Sequence, residues 1–347
     1  MDLQLNKHIF IPNDLQKILT NFKGKTISDI QEFYKNKYDN FINEYFELLK
    51  NNELIYFTND VEQFPSIDLI YKSPSHITNV FIDFSKKLKI KKIIDILNNI
   101  SCKAVSLSFT EKISLCEIKK VLSYFKETGF IHIEMYINWQ FALEEVKPLF
   151  HNETRLQQVI MFMCDENMHY LLPNGMNRII VYSKNKMNIS TKSSRSLSVS
   201  FPLYIESQKH HTYFNRKLYI GKNGEIKNAL ECKDNFGFIQ SIKDVEGLKS
   251  IISKSEFQKY WFVHKEICNI CKDCEFRHMC VDNRLPYKNT NGTWYFKPNC
   301  PYNPYICKWE GEEGYVLVEE CGNYTRETGF VPDKKKIRKL NKQIWGE

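Results

Sequence analysis

The chain has 347 residues, 42% of them hydrophobic, and a formal net charge of +8. That length holds one large domain or two to three modest ones around a substantial core. No apolar run approaches the roughly 18 residues that a membrane-spanning helix needs. The positive excess sits at the end, where Lys334, Lys335, Lys336, Arg338, Lys339 and Lys342 fall in the last fourteen residues. Such a tail reads as a solvated end, and no RNP-like stretch or recognition helix accompanies it, so nucleic-acid binding is not expected. The first eight residues lack a basic start followed by an apolar run, so no signal peptide is expected and the chain is read as cytoplasmic, with reduced thiols.

Residues 1–70 read as a winged-helix-like unit suited to gripping a peptide. Ile30, Phe33, Tyr34, Phe41, Tyr45 and Leu49 recur at near-helical spacing, and Ser28 with Gln31 has the form of a capping box. A strand over 54–58 and a turn at Asn59 and Asp60 follow.

Residues 75–206 have a different rhythm. Strands are expected over 77–84, 104–109, 131–137, 158–163, 179–182 and 197–201, with helices over 88–100, 118–125 and 141–150. Strands alternating with helices imply β-α-β units and a parallel sheet, here an α/β partial barrel or curved open sheet. Working residues in such a sheet belong at the carboxyl ends of the strands. Asp83, Glu134 and Asp165 are the acids near those ends and are candidates for substrate contact. His132 reads as a satisfied core histidine, and Cys102, Cys116 and Cys164 as small core residues or bystanders. No Gly-rich phosphate loop follows any strand, and no G-x-S-x-G, H-E-x-x-H or Walker loop occurs, so a hydrolase or kinase has no support.

Residues 207–325 open on the doublet His210-His211, read as a polar surface pair, and a hairpin. A strand over 213–220 reverses at Gly221-Lys-Asn-Gly224, and the returning strand leads to Cys232. A second turn and strand are expected at Gly237 and Ile239, then a helix over 245–253. Seven of the eleven cysteines then fall between Cys268 and Cys321. Cys271, Cys274 and Cys280 form a C-x2-C-x5-C run, Cys268 precedes it by the same two-residue gap, and Cys300, Cys307 and Cys321 follow. Thiolates at such spacing take soft metal ions or clusters out of water and fold a loop-rich segment around them. His264 precedes the run and His278 lies within it, between Cys274 and Cys280; either could donate a ligand, although His278 is expected to point outward. Zinc is the alternative metal, although Cys271-x2-Cys274 lacks a second C-x2-C knuckle except the overlapping Cys268-x2-Cys271. Residues 326–347 are the basic tail.

The hairpin with Cys232 and Gly237, followed by Cys271-x2-Cys274-x5-Cys280, resembles the SPASM domain, the cluster-binding extension of radical SAM peptide-modifying enzymes. The stretches over 213–220, 226–228, 271–277 and 300–305, with 43–49 and 62–65 near the start, are similar to the SPASM-domain peptide maturases of grasp-with-spasm systems. The resemblance is dense over 207–322, fair over the first 65 residues and weak between. It implies a protein of ribosomal peptide (RiPP) maturation that works with an ATP-grasp ligase on a precursor peptide. It also implies a degenerate partial barrel of radical SAM type and one or two [4Fe–4S] clusters. The implied ligands are Cys232, Cys271, Cys274, Cys280, Cys300 and Cys321, with Cys268 and Cys307 as substitutes. Two departures stand out. Arg284 holds the place of a further cysteine, and Ser85-Lys86-Lys87 follows the first strand where a C-x3-C-x2-C triplet would bind S-adenosylmethionine. No S-adenosylmethionine site and no ordinary radical chemistry are therefore expected, no catalytic residue is assigned, and a non-catalytic zinc adaptor presenting a precursor is the other reading.

Overall fold

A computed structural model describes residues 1–55, 57–58, 60–172, 178–186, 195–297, 300–325 and 327–346. They gather into two units, Met1–Ile70 with Ser198–Ile205, and Tyr71–Leu197 with Glu206–Glu347.

The first unit carries helices α1 (Asn13–Asn21), α2 (Ile27–Phe33) and α3 (Asp39–Asn51). Ile18, Ile30 and Ile42 form its small core, one from each helix. The capping box lies two residues ahead of the expected one. Thr26 Oγ1 accepts from Asp29 N at 3.1 Å and Asp29 Oδ2 from Thr26 N at 2.8 Å. Thr26 can take the extended cap conformation, whereas Ser28 already lies within the first helical turn. The strand expected over 54–58 is not seen, because residues 54, 55, 57 and 58 are unpaired. Tyr56 and Asn59 lie outside the described residues.

The second unit is mixed α/β, built on a parallel-rich sheet. Its first part runs β1 (Asn79–Phe84), α4 (Ile90–Asn99), β2 (Ala104–Phe109), α5 (Leu115–Ser123), β3 (His132–Ile137), α6 (Leu143–Asn152), β4 (Leu156–Met161), β5 (Met168–Leu171) and β6 (Ile179–Tyr182). β7 (Arg195–Leu197), the hairpin β8 (Lys217–Ile220) and β9 (Ile226–Lys227), and α8 (Val245–Ile252) follow, while α7 (Phe201–Ser207), between β7 and β8, falls mostly in the first unit. Eight strands join in the order β5-β6-β4-β3-β2-β1-β8-β9, antiparallel only at the two edges. Because β1 to β4 are laid down in sequence order, right-handed crossovers put α4, α5 and α6 on one face. That face alternates as a half-buried strand should: Val80, Ile82, Val105, Leu107, Ile133, Met135, Val159 and Ile180 join Ile94, Leu97, Ile118 and Leu149 in one core. The intervening residues give the opposite face polar side chains, Asp83, Ser106, Glu134 and Lys217 among them, around the packed rings of Phe81, Tyr136 and Tyr219.

The strand expected over 197–201 is instead the end of β7 and the start of α7. Pro202 occupies the first turn of that helix, where a missing N–H costs nothing. At 237–239 there is a 3-10 turn (Ile239–Ser241) and a single bridge from Glu225 to Phe238. The cysteine-rich end contains only short pairs: β10 (Cys280–Asp282) on β7, β11 (Pro286–Lys288) on β12 (Trp294–Phe296), β13 (Tyr302–Asn303) on β14 (Lys308–Trp309), and β15 (Gly322–Thr325) on β16 (Gly329–Pro332).

The basic tail is a helix, α9 (Lys334–Trp345), rather than a solvated end. Asp333 caps it, and Ile337, Leu340 and Ile344 pack on Ile306, Val318, Cys321 and Phe330 while the lysines face outward. No helix among the described residues is long and apolar enough to cross a membrane.

Candidate metal centre

A tight reversal brings the first thiols together. Cys271 N donates to Asn269 O at 2.8 Å, which makes a γ-turn about Ile270 at φ +68° and ψ −53°. This is the rarer and more strained γ-turn form, and a β-branched residue in it is a true outlier. Lys272 N then donates to Cys268 O, and Cys274 N to Cys271 O, closing the loop. Gly329, at φ +73°, lies so close to Asn269 that a Cβ there would collide with the Asn269 amide.

Tyrosines carry Cys300 to this loop. In Cys300-Pro-Tyr302-Asn303-Pro-Tyr305, Tyr302 OH donates to Glu275 and Tyr305 OH to Asp273 Oδ2 at 2.8 Å, so both reach the acids that flank Cys274. Phe276, Tyr302 and Trp309 pack together edge-on and tilted, with Phe276 and Tyr302 centroids 4.9 Å apart. Cys280 is held on the other side by β10, and Thr212 Oγ1 donates to its carbonyl at 2.8 Å.

An ion cluster without sequence warning lies against these thiols. Lys265 Nζ donates to Asp282 Oδ2 at 2.7 Å, and Arg284 Nε donates to Asp282 Oδ1 at 2.9 Å. The three side chains are 5%, 0% and 5% exposed for Lys265, Asp282 and Arg284. Burial alone would raise the Asp282 carboxyl, but Lys265 and Arg284 hold it well below the usual carboxylate range. Among the described residues, two buried cations share this one carboxylate. Burial opposes the Lys265 charge, yet Cys271, Asp282 and Cys280 together raise its amine. Arg284 is likewise raised, against burial, by Asp282 and then by Cys271 and Cys300. The residue that stands where the resemblance wants a cysteine therefore supplies a cation to the remaining ones.

Burial pushes the Cys280 thiol up to about 11, with Asp282, Cys271 and Cys300 adding and Lys265 opposing. Burial, Glu275, Cys271 and Cys280 raise Cys274, while burial raises Cys271 against Lys265 and Arg284. Cys271 and Cys280 thus act on Cys274, and Cys300 acts on Cys271 and Cys280. Cys268 is fully buried, acts on the group through Cys271, and donates its S–H to His264 O at 3.3 Å.

The other expected ligands lie in small packed clusters or at the surface. Cys232 packs with Phe214 and Ala229, and burial, with Glu231 and Asp234, pushes its thiol up to about 12. Cys321 lies in the small core under α9, where Asn303 Nδ2 donates to its sulfur at 3.3 Å. Cys307 is exposed. No cysteine is in a disulfide, and no three His, Cys, Asp or Glu side chains converge at ligating geometry among the described residues. The donor chemistry fits a thiolate-bound centre, namely four soft donors and two adjacent buried cations that offset their charge.

Elsewhere, Ser85 follows β1 and the Cys102 thiol lies in the main core, pushed up to about 12 by burial. Glu134 stands mid-strand rather than at a strand end. It accepts from His132 (2.9 Å), Ser106 (3.0 Å) and Tyr136 (3.1 Å), so His132 is satisfied on the polar face rather than in the core. Asp83 accepts from Ser108 and Thr110, and Asp165 is exposed in the loop after β4.

Neither a family model, nor a curated protein, nor a solved structure matches the chain.

Proposed function

We propose that this chain acts in ribosomal peptide maturation, as a SPASM-domain peptide maturase of the grasp-with-spasm type working with an ATP-grasp ligase in the cytoplasm. Its Cys271, Cys274, Cys280 and Cys300 hold one [4Fe–4S] cluster. The observation that carries the metal reading is the pair of buried cations, Lys265 and Arg284, beside those thiols, each raised in part by them. Buried cations favour the thiolate forms of neighbouring cysteines, which is the form a four-thiolate centre uses. The sequential order β1-β2-β3-β4 supports a degenerate partial barrel as the body that presents the peptide, with the helical first unit as its recognition element.

When bound, such a cluster supplies one-electron transfer or staples the loops. The chain's residues do the rest: Lys265 and Arg284 favour the thiolate forms, and Tyr302 and Tyr305 hold the Cys300 segment on the Cys271 loop. Cys232 and Cys321 belong to separate packed clusters and are left out of the centre.

Anaerobic purification followed by iron, sulfide and zinc assay tests this, with about four irons per chain expected. A colourless zinc protein sinks the cluster, and about eight irons sink the single grouping. Reconstitution with the precursor and ligase encoded beside it then decides the role. A precursor mass change that requires this chain makes it a catalyst, a change in ligase rate alone makes it an adaptor, and no effect on either overturns the maturation reading.

A further inference from the structure

A cavity of about 240 Å³ opens in the second unit, away from the thiols, with His76, His210, Asn215, Arg216, Trp261 and Phe262 among its walls. Arg216 is its distinctive member. Among the described residues its guanidinium makes one hydrogen bond, from Nη1 to Ser75 O, and no ion pair. The backbone there is fixed: Arg216 has φ +49°, and its carbonyl accepts from Thr78 N at 2.9 Å. The indole of Trp261 lies 6.0 Å from the guanidinium carbon. A charged fork with most of its N–H groups free, anchored on a strained residue, is poised for an external acceptor.

The walls carry a second, independent signal. Asn215 Oδ1, Trp261 Nε1 and His210 Nδ1 are closed to bulk solvent and have no hydrogen-bond partner. Asn215 and Trp261 are 3% and 5% exposed. The Asn215 amide nitrogen donates to Glu206 Oε1 at 2.7 Å, which orients Oδ1 as an acceptor awaiting an N–H. Native proteins rarely leave such atoms orphaned without a reason. Ile252, Trp261 and Phe262 add an apolar wall.

We propose that this cavity binds the carboxyl-terminal residue of a peptide, its carboxylate on Arg216 and its side chain against Trp261 and Phe262. An inorganic anion would use Arg216 but leave the Asn215 acceptor and the apolar wall unused, whereas a terminal residue offers a carboxylate, an N–H and a side chain together. The volume suits one residue. The proposal deepens the peptide reading above, and takes only the ligand class from it.

The test uses the full-length protein and two probes, acetyl-Ala-Phe as the free acid and as the carboxamide, titrated by calorimetry and by the indole N–H signal of Trp261. The acid is expected to saturate the site, and the amide to bind at least about tenfold more weakly. Arg216→Gln is expected to erase that preference, and Arg216→Lys to restore part of it. Equal binding of acid and amide, no binding of either, or equal competition by inorganic phosphate would each overturn the proposal. The acid–amide comparison is made on the unaltered chain, so an unfolded variant does not blunt it. Peptide maturation is measured separately by precursor mass, so either idea can fail alone.

Discussion

The parallel sheet and the cysteine-rich end belong to one unit of the chain but are ordered differently. In the sheet, Ile82, Leu107, Met135 and Val159 are fully buried, and strands and helices share one continuous hydrophobic core. Between Val263 and Trp345 the buried hydrophobics include two small clusters, of three around Cys268 and four under α9, with Phe276, Met279 and Tyr302 in neither. The rest is tyrosine–carboxylate bonds, edge-on and tilted rings, a strained γ-turn and a buried ion cluster. The first region carries its own stability. The second, on the reading proposed above, would gain order when a thiolate centre forms.

The largest expected effect follows directly. Chelation, or Cys271→Ala with Cys274→Ala, should remove the metal and collapse amide-exchange protection across about residues 260–345, leaving β1 to β4 protected. Uniform loss across both regions would mean that the metal supports the whole unit. No loss would mean that the short strand pairs suffice.

Next comes the ion cluster. Asp282→Asn removes the carboxylate that the buried Lys265 and Arg284 share. Breaking a buried pair in this way costs about 3–5 kcal/mol. Bound thiolates would offset part of that, so denaturant melts should show a larger loss in the metal-free protein than in the loaded one. Equal losses in the two forms would separate the ion cluster from the thiols.

Much of the first region was legible because one physical pattern repeats there. Alternating burial marked the strands over 104–109 and 179–182 to the residue, and Gly221-x-x-Gly224 marked the β8–β9 reversal. The cysteine spacing likewise named Cys271, Cys274 and Cys280 as neighbours. What escaped depends on contacts distant in sequence. Lys265, Asp282 and Arg284 carry no motif, because a buried charge differs from a surface one only in what surrounds it. Cys232 and Cys321 stand in separate clusters, which spacing cannot foresee. In α9 the lysines hid the Ile337, Leu340, Ile344 stripe, so a packed helix read as a solvated tail.

Helix caps probe the same contrast at about 1 kcal/mol. Ser114 caps α5 on the sheet, where its Oγ accepts from Glu117 N at 3.2 Å. Asp333 caps α9 at the cysteine-rich end, where its Oδ1 accepts from Lys335 N at 2.9 Å. Replacing either with Ala should cost about 1 kcal/mol in the metal-loaded protein, read by amide exchange in the helix concerned. After metal removal only Ser114→Ala should still register, because α9 packs on elements already released. A persistent Asp333→Ala effect would show α9 and its small core to be independent of the metal.

The smallest effect has the opposite sign to that of Asp282. Asp83 on the sheet has no cation in hydrogen-bond contact, and burial raises its carboxyl above the ordinary value, only partly offset by Lys222 and by Ser108 and Thr110. A group whose folded value lies above its unfolded one contributes stability below the unfolded value, and that contribution is lost as pH rises through the folded value. At neutral pH the charged form is therefore a burden. Asp83→Asn keeps an oxygen that both hydroxyls can reach and removes the charge, so it should stabilise the sheet slightly at pH 7. Near pH 3, where the native carboxyl is already neutral, the gain should vanish. Thermal melts of both proteins at the two pH values check this. A destabilising Asp83→Asn at pH 7 would mean that the carboxylate is held by a charge partner after all, as in the cysteine-rich end, and the contrast between the regions would narrow to their hydrophobic cores.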